Sequence, residues 1–256
     1  MGSQTATAAV ELDGRANLHF EINVRRVAWV LAAVITSLTA AHFLLAHRDS
    51  PIWRLVNLDA EASFGTWYAS FAAMLAGILS LLLAALARRR GVSWVWWALL
   101  GLALVTLGVD EVAQVHEGVS SRLGSQIRGI GEDSMAGTPL IGLLVLPFTL
   151  LVMWGISKAG ETRATRLIVG GLSILWLGAF AFEELENRNH LGTLPLTQGI
   201  ARELGDFILV GIQETLEMVG VALIIIGLLS HFAHTREHIG LNAVDPGALE
   251  VHADPG

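Results

Sequence analysis

The chain has 256 residues, 53% of them hydrophobic and 15% charged, with no cysteine and a formal net charge of -7. An average globular protein carries about 25% charged residues, so this chain lacks the polar groups to cover a water-soluble surface and reads as a multi-pass membrane protein. The missing cysteines exclude disulfides, thiolate nucleophiles, iron–sulfur clusters and Cys-based zinc sites. The acidic balance excludes a nucleic-acid partner, which would demand a basic footprint.

Six stretches are long and apolar enough to cross a bilayer, which takes about 20 residues of helix. They fall at 27–45, 67–86, 94–115, 139–156, 167–185 and 207–229. Backbone groups inside lipid must be satisfied internally, and no stretch alternates with the period of a barrel strand. The fold class expected is therefore all-α: a polytopic membrane helix bundle with six transmembrane helices. Three regions follow: residues 1–24 as a cytoplasmic N-terminal tail, 25–232 as the six-helix transmembrane domain, and 233–256 as a cytoplasmic, disordered C-terminal tail. Glu11, Asp13 and Glu21 precede Arg25 and Arg26, unlike the basic start of a cleaved signal peptide, so the first span is expected to be retained. The stretch 118–136 holds four Gly and four Ser and reads as a loop.

An even number of spans puts both termini on one side. That side carries Arg15, Arg25, Arg26, Arg88, Arg89, Arg90, Lys158, Arg163, Arg166 and Arg236, which is 10 of the 16 Lys and Arg. The positive-inside rule makes it cytoplasmic, and the plasma membrane is the expected location.

The acids take the other side, with 15 of the 23 Asp and Glu there or in the adjoining helix halves. Asp59 and Glu61 precede the second span. The third ends in Asp110, Glu111, Gln114, His116 and Glu117. The fifth ends in Glu183, Glu184, Glu186 and Asn187, and the sixth runs through Asp206, Gln213, Glu214 and Glu217. Because spans alternate in direction, all of these meet at one face. Glu217 lies about 11 residues into its span, roughly 16 Å deep, and an ionisable group at that depth is a functional-site hypothesis by default. Helical phase places Asp206, Gln213 and Glu217 on one stripe, with Glu214 on its edge. On the third span Asp110, Gln114 and Glu117 share a face with Thr106, while Glu111 and His116 flank it. Polarity over so much of the circumference predicts that the third helix is central in the bundle.

Converging carboxylates can be balanced by protons, by Arg or by bound cations. A metal site is expected, with Glu111, His116, Glu183, Glu214 and Glu217 as ligands and Asp110 and Glu117 as catalytic acid–base groups around a metal-bound water. The divalent ion would be Fe, Mn, Zn, Ca or Mg, since oxygen-rich ligation suits hard cations. The Glu-x-x-His pattern of di-metal helix bundles is absent from the sequence. A haem between His42 and His116 is a weaker fit, because a dense acid cluster would adjoin it. His231, His234 and His238 share one helical face and could hold zinc or contact lipid headgroups.

The segments Asn57-Leu58-Asp59-Ala60-Glu61, Thr66-Trp67-Tyr68-Ala69-Ser70, Asp110-Glu111-x4-His116-Glu117 and Glu214-Thr215-Leu216-Glu217-Met218 together resemble a loose family of bacterial six-helix membrane proteins. That resemblance covers roughly residues 25–232 and brings no named activity. The chain is also similar to ceramidase-like membrane hydrolases in placing His and Asp within a bundle, but it lacks their seventh span and late His pair. The expectation is an integral membrane protein with an acidic site open to the extracytoplasmic side. It is read as a metal-dependent enzyme acting on a lipid-like substrate from the lipid bilayer. A cation- or proton-coupled transporter or sensor, or a structural membrane subunit, is the alternative.

Overall fold

The computed structural model describes residues 23–45, 51–58, 60, 63–113, 119, 138–160, 162–190 and 202–242. Among the described residues no strand occurs. The helices are α1 (Val24–Leu44), α2 (Pro51–Val56), α3 (Phe64–Arg89), α4 (Val95–Ala113), α5 (Thr138–Ala159), α6 (Thr162–Trp176), a π-helical turn (Leu177–Phe182), α7 (Glu183–His190) and α8 (Arg202–Asn242). Six segments are long and apolar enough to cross a membrane: Val24–Leu44, Phe64–Arg89, Val95–Ala113, Ile141–Ala159, Arg163–Glu186 and Leu204–Thr235. Each overlaps one of the six expected spans, and the bundle is a multi-pass membrane protein. The stretch 118–136 lies outside the described residues except for Val119, which is helical.

Local chemistry sets the helix ends. Asn23 caps α1 by accepting from the Arg26 amide at 3.0 Å, and Ser63 caps α3 through the Thr66 amide at 3.2 Å. At the other end of α3, Gly91 adopts φ +69°, a left-handed conformation that suits glycine. There the amides of Gly91 and Val92 bond the carbonyls of Arg88 and Ala87, both at 3.1 Å, which closes the helix in a Schellman turn.

Within a bilayer, lipid tails compete with apolar side chains, so helices associate by close packing and by hydrogen bonds between them. Two antiparallel hairpins show both. In the first, α3 meets α4 through Gly77, Gly101 and Gly108. A Cβ built at Gly101 would stand 2.9 Å from the Gly77 carbonyl oxygen, and one at Gly108 2.9 Å from that of Ser70. The same seam carries Ser70 Oγ donating to the Gly108 carbonyl at 2.6 Å and Ser80 Oγ donating to that of Trp97 at 2.7 Å. In the second hairpin α6 meets α8. A Cβ at Gly171 would lie 2.6 Å from the Gly220 oxygen, and one at Gly227 2.9 Å from that of Ala164. The main core, including Leu100, Leu104, Ile156, Ile168, Ile224 and Leu228, fills the space between the hairpins. A smaller cluster of Ile35, Leu58, Met218 and Ala222 seats α1.

The central helix is α8. It packs on α1, α3, α6, the π turn and α7, and 56% of its apolar window is buried against 28% for α4. The expectation of a central third helix is thus corrected. Leu102, Val109 and Val112 of α4 are exposed, because polar side chains near a helix end can face the interface and need no protein around them. The α8 helix also runs ten residues beyond the expected boundary at 232, to Asn242. No Gly or Pro interrupts it between Gly227 and Gly240, and Phe232 packs against the core.

Side chains at these crossings should separate the helices. Gly101→Val and Gly220→Val are each expected to lower stability by about 1–3 kcal/mol through overpacking. Gly170→Ala, where an added Cβ meets no atom within 4 Å, should leave the thermal midpoint unchanged or raise it. Thermal unfolding in detergent measures all three.

Candidate functional site

Near the acid end, α8 carries Gln213 and Glu217 one turn apart, facing the fifth span. The approach is close because that span offers Gly178: a Cβ there would stand 2.8 Å from Glu217 Cγ and 3.1 Å from the Gln213 carbonyl oxygen. Gly178 belongs to the π turn. A π turn holds one residue more than an α turn, which rotates everything after it by about 100° relative to an unbroken α-helix. Glu183 follows directly and is 9% exposed.

A small cleft opens between four helices here. Its walls are Ala69 and Ala73 of α3, Leu107 and Glu111 of α4, Leu175 of α6, and Glu217 and Val221 of α8. The enclosed space is about 10 Å³, close to the minimum for one water. Two carboxyl groups therefore face one small void in otherwise apolar walls. Glu183 stands near enough, with Glu111, for direct charge repulsion on the Glu217 carboxyl, and the Gln213 amide hydrogen-bonds that carboxyl. The buried Gln213 Oε1 has no hydrogen-bond partner.

The expected site residues divide as follows. Glu111, Glu183 and Glu217 come together. Glu214 and Asp110 do not line the cleft; Asp110 sits one turn from the exposed Thr106 on α4, whereas Glu111 continues the buried line of Leu104 and Gly108. His116 and Glu117 lie outside the described residues, as do Gln114 and Glu61. Among the described residues no three His, Asp or Glu side chains are grouped closely enough to hold one metal ion. Further out, Asn189, 1% exposed, donates to Asp206 Oδ1 at 2.6 Å, and Glu184 pairs with Arg188 at 2.8 Å.

His42 ties the acid end together. It is fully buried. Its Nδ1 accepts from the Leu58 amide at 3.2 Å, which leaves Nε2 as the protonated nitrogen, 3.2 Å from the Phe207 carbonyl. The ring stacks on Phe207 at 4.4 Å and on Trp53 at 5.6 Å. With both nitrogens engaged, His42 joins α1, the segment after α2 and α8, and is not placed to ligate a haem. A Cβ at Gly211 would stand 2.9 Å from His42 Cδ2, so that glycine admits the ring. At the opposite end His231 packs on Trp97 at 4.9 Å and His234 is exposed; the side chain of His238 is outside the described residues.

The sequence reading missed the π turn, Gly178 and the His42 tie. Gly178 was the available signal: a glycine facing a buried acid marks close approach, but its partner is fixed only by tertiary packing.

Comparison with known proteins places residues 26–232 in a family described as a domain of unknown function, DUF8692. The chain belongs to that family. No curated protein matches the chain, and no solved structure does.

Removing the His42 ring should loosen the acid end. His42→Ala leaves the buried Leu58 amide without its acceptor and strips the stacking on Phe207 and Trp53, an expected loss of about 2–4 kcal/mol. Thermal unfolding of the purified protein checks it.

Proposed function

We propose that this chain is a cation- or proton-coupled membrane transporter or sensor, and that Glu217 and Glu111 form its intramembrane binding site. The observation that carries this reading is the cleft that both carboxyl groups line, with Glu183 within charge range and the buried Gln213 Oε1 lacking a donor. Three carboxyl groups and an amide oxygen ask for positive charge, and the void accommodates something the size of a proton-bearing water or one small ion. In this reading the acid end faces the extracytoplasmic side and both termini are cytoplasmic.

The metal-dependent enzyme makes different demands. Zinc takes about four ligands, and magnesium or calcium about six or more, while the cleft offers two carboxyl groups among the described residues. His116 and Glu117 would have to supply the rest, and the helices would have to part for a lipid-like substrate.

Proteoliposomes loaded with a pH-sensitive dye and calorimetry with Na⁺, Ca²⁺, Mn²⁺ and Zn²⁺ separate the two. Wild-type protein is expected to take up protons or one small cation, Glu217→Gln to lose at least about ten-fold of that uptake, since it removes a charge from a dry site, and Asp110→Asn to keep it. Stoichiometric divalent binding that both His116→Ala and Glu217→Gln abolish would establish the enzyme instead. Equal behaviour of wild type and Glu217→Gln in both assays would end the proposal.

A further inference from the structure

The π turn sets which side chain of the fifth span faces Glu217. Gly178 stands against Glu217 Cγ and the Gln213 carbonyl, and the turn that begins at Leu177 ends at Phe182, directly before Glu183. Counted from Gly178 at about 100° per residue, an unbroken α-helix would bring Phe182, four residues on, back to the α8 side, and would leave Glu183, five residues on, about 140° away. A π turn closes on the fifth residue instead. Glu183 is accordingly the buried one of the pair, within charge range of Glu217, while Phe182 is half-buried. One residue of register decides whether a carboxyl group or a phenyl ring stands over Gly178.

Opposed forces act on that register. Glu183 shares a dry interior with Glu111 and Glu217, which line the cleft, and like charges repel strongly where the dielectric is low. Beyond the turn, the eight residues of α7 hold to α8 through Asn189, which donates to Asp206 Oδ1 at 2.6 Å and packs where Gly205 leaves room for its amide. The Glu184–Arg188 pair lies within α7 and would travel with it. In an α register Glu183 would fall on the line of Leu172 and Trp176. That is the α5 side, because Trp176 meets Phe180 at 5.5 Å and Phe180 lies against Gly142 of α5.

We propose that the π turn is a one-residue register switch: with positive charge in the cleft it presents Glu183 to Glu217, and with the cleft empty it relaxes to α-helix, presents Phe182 and turns Glu183 toward α5. The two registers make different contacts with the bound charge, which is what coupling between binding and conformation requires. In the first, a third carboxyl group adds its attraction for that charge. In the second, the repulsion is relieved and a phenyl ring closes the approach to the cleft. The cause of the switch rests on the reading of that cleft as a site for a cation or proton.

The chain has no cysteine, so Arg188→Cys on α7 and Phe64→Cys at the exposed start of α3 can carry a pair of nitroxide labels on the full-length protein. A rotation of α7 by about 100° moves a label at its surface by up to about 8 Å, which double electron–electron resonance resolves. The labelled protein in cation-free buffer is expected to show two distances. Glu217→Gln, which takes one charge out of the cluster, should enrich the π-register distance at least about five-fold. Deleting Ala179 removes the surplus residue, so that an ordinary α-helix holds Glu183 where it now stands, and that variant should show the π-register distance alone. Thermal midpoints identify folded variants; should the deletion not fold, the comparison with Glu217→Gln decides. A single distance shared by the labelled protein, Glu217→Gln and Glu111→Gln, or two distances whose ratio neither substitution alters, would overturn the switch. Distances that respond to Glu217→Gln in a protein that takes up no proton or cation would support the switch and count against the transporter reading alone.

Discussion

Backbone-to-backbone approach at glycines is the constraint on which this bundle depends. Lipid gives no hydrophobic reward for one apolar helix touching another, so contact must come from surfaces that fit within van der Waals distance. Gly77, Gly101 and Gly108 bring α3 to α4, and Gly171, Gly220 and Gly227 bring α6 to α8. The same device then serves chemistry. Gly178 lets the fifth span come up to the Glu217 side chain, and Gly211 lets His42 reach the Phe207 carbonyl. Bulkier residues at these positions would leave room for lipid or water where the bundle now holds an acid or an imidazole.

Charge divides the molecule into two chemically distinct ends. The described acids gather at the ends of α4 and the fifth span and along the first half of α8, while exposed cations gather at the α3–α4 and α5–α6 turns. The ends solve opposite problems. At the basic end the cations face outward, where water and headgroups screen them. At the acid end Glu111 and Glu217 line one cleft with Glu183 close by, in an interior where screening is weak.

Much of this was legible in the residues. The six spans follow from uninterrupted apolar runs, and the gathering of the acids at one end of the bundle follows from helix direction. Four features were not legible, each for a physical reason. A π turn has no sequence signature, because it arises when neighbours reward an extra residue in the helix. The peripheral place of α4 was hidden because polar side chains at a helix end satisfy themselves equally well at an interface. The role of His42 depended on meeting Leu58 and Phe207, which lie 16 and 165 residues away. The exclusion of Glu214 from the cleft turned on a rotation of α8 smaller than phase arguments resolve.

The 41-residue α8 helix is a single rod through both ends of the molecule. Among its described residues it is continuous helix from Arg202 to Asn242, with no proline from end to end, so it transmits a tilt or a rotation along its length. Glu217 and His231 sit about 21 Å apart on it. A tilt of that rod at the cleft lined by Glu217 would also move the seat of His231 on Trp97, the indole that underlies Gly160.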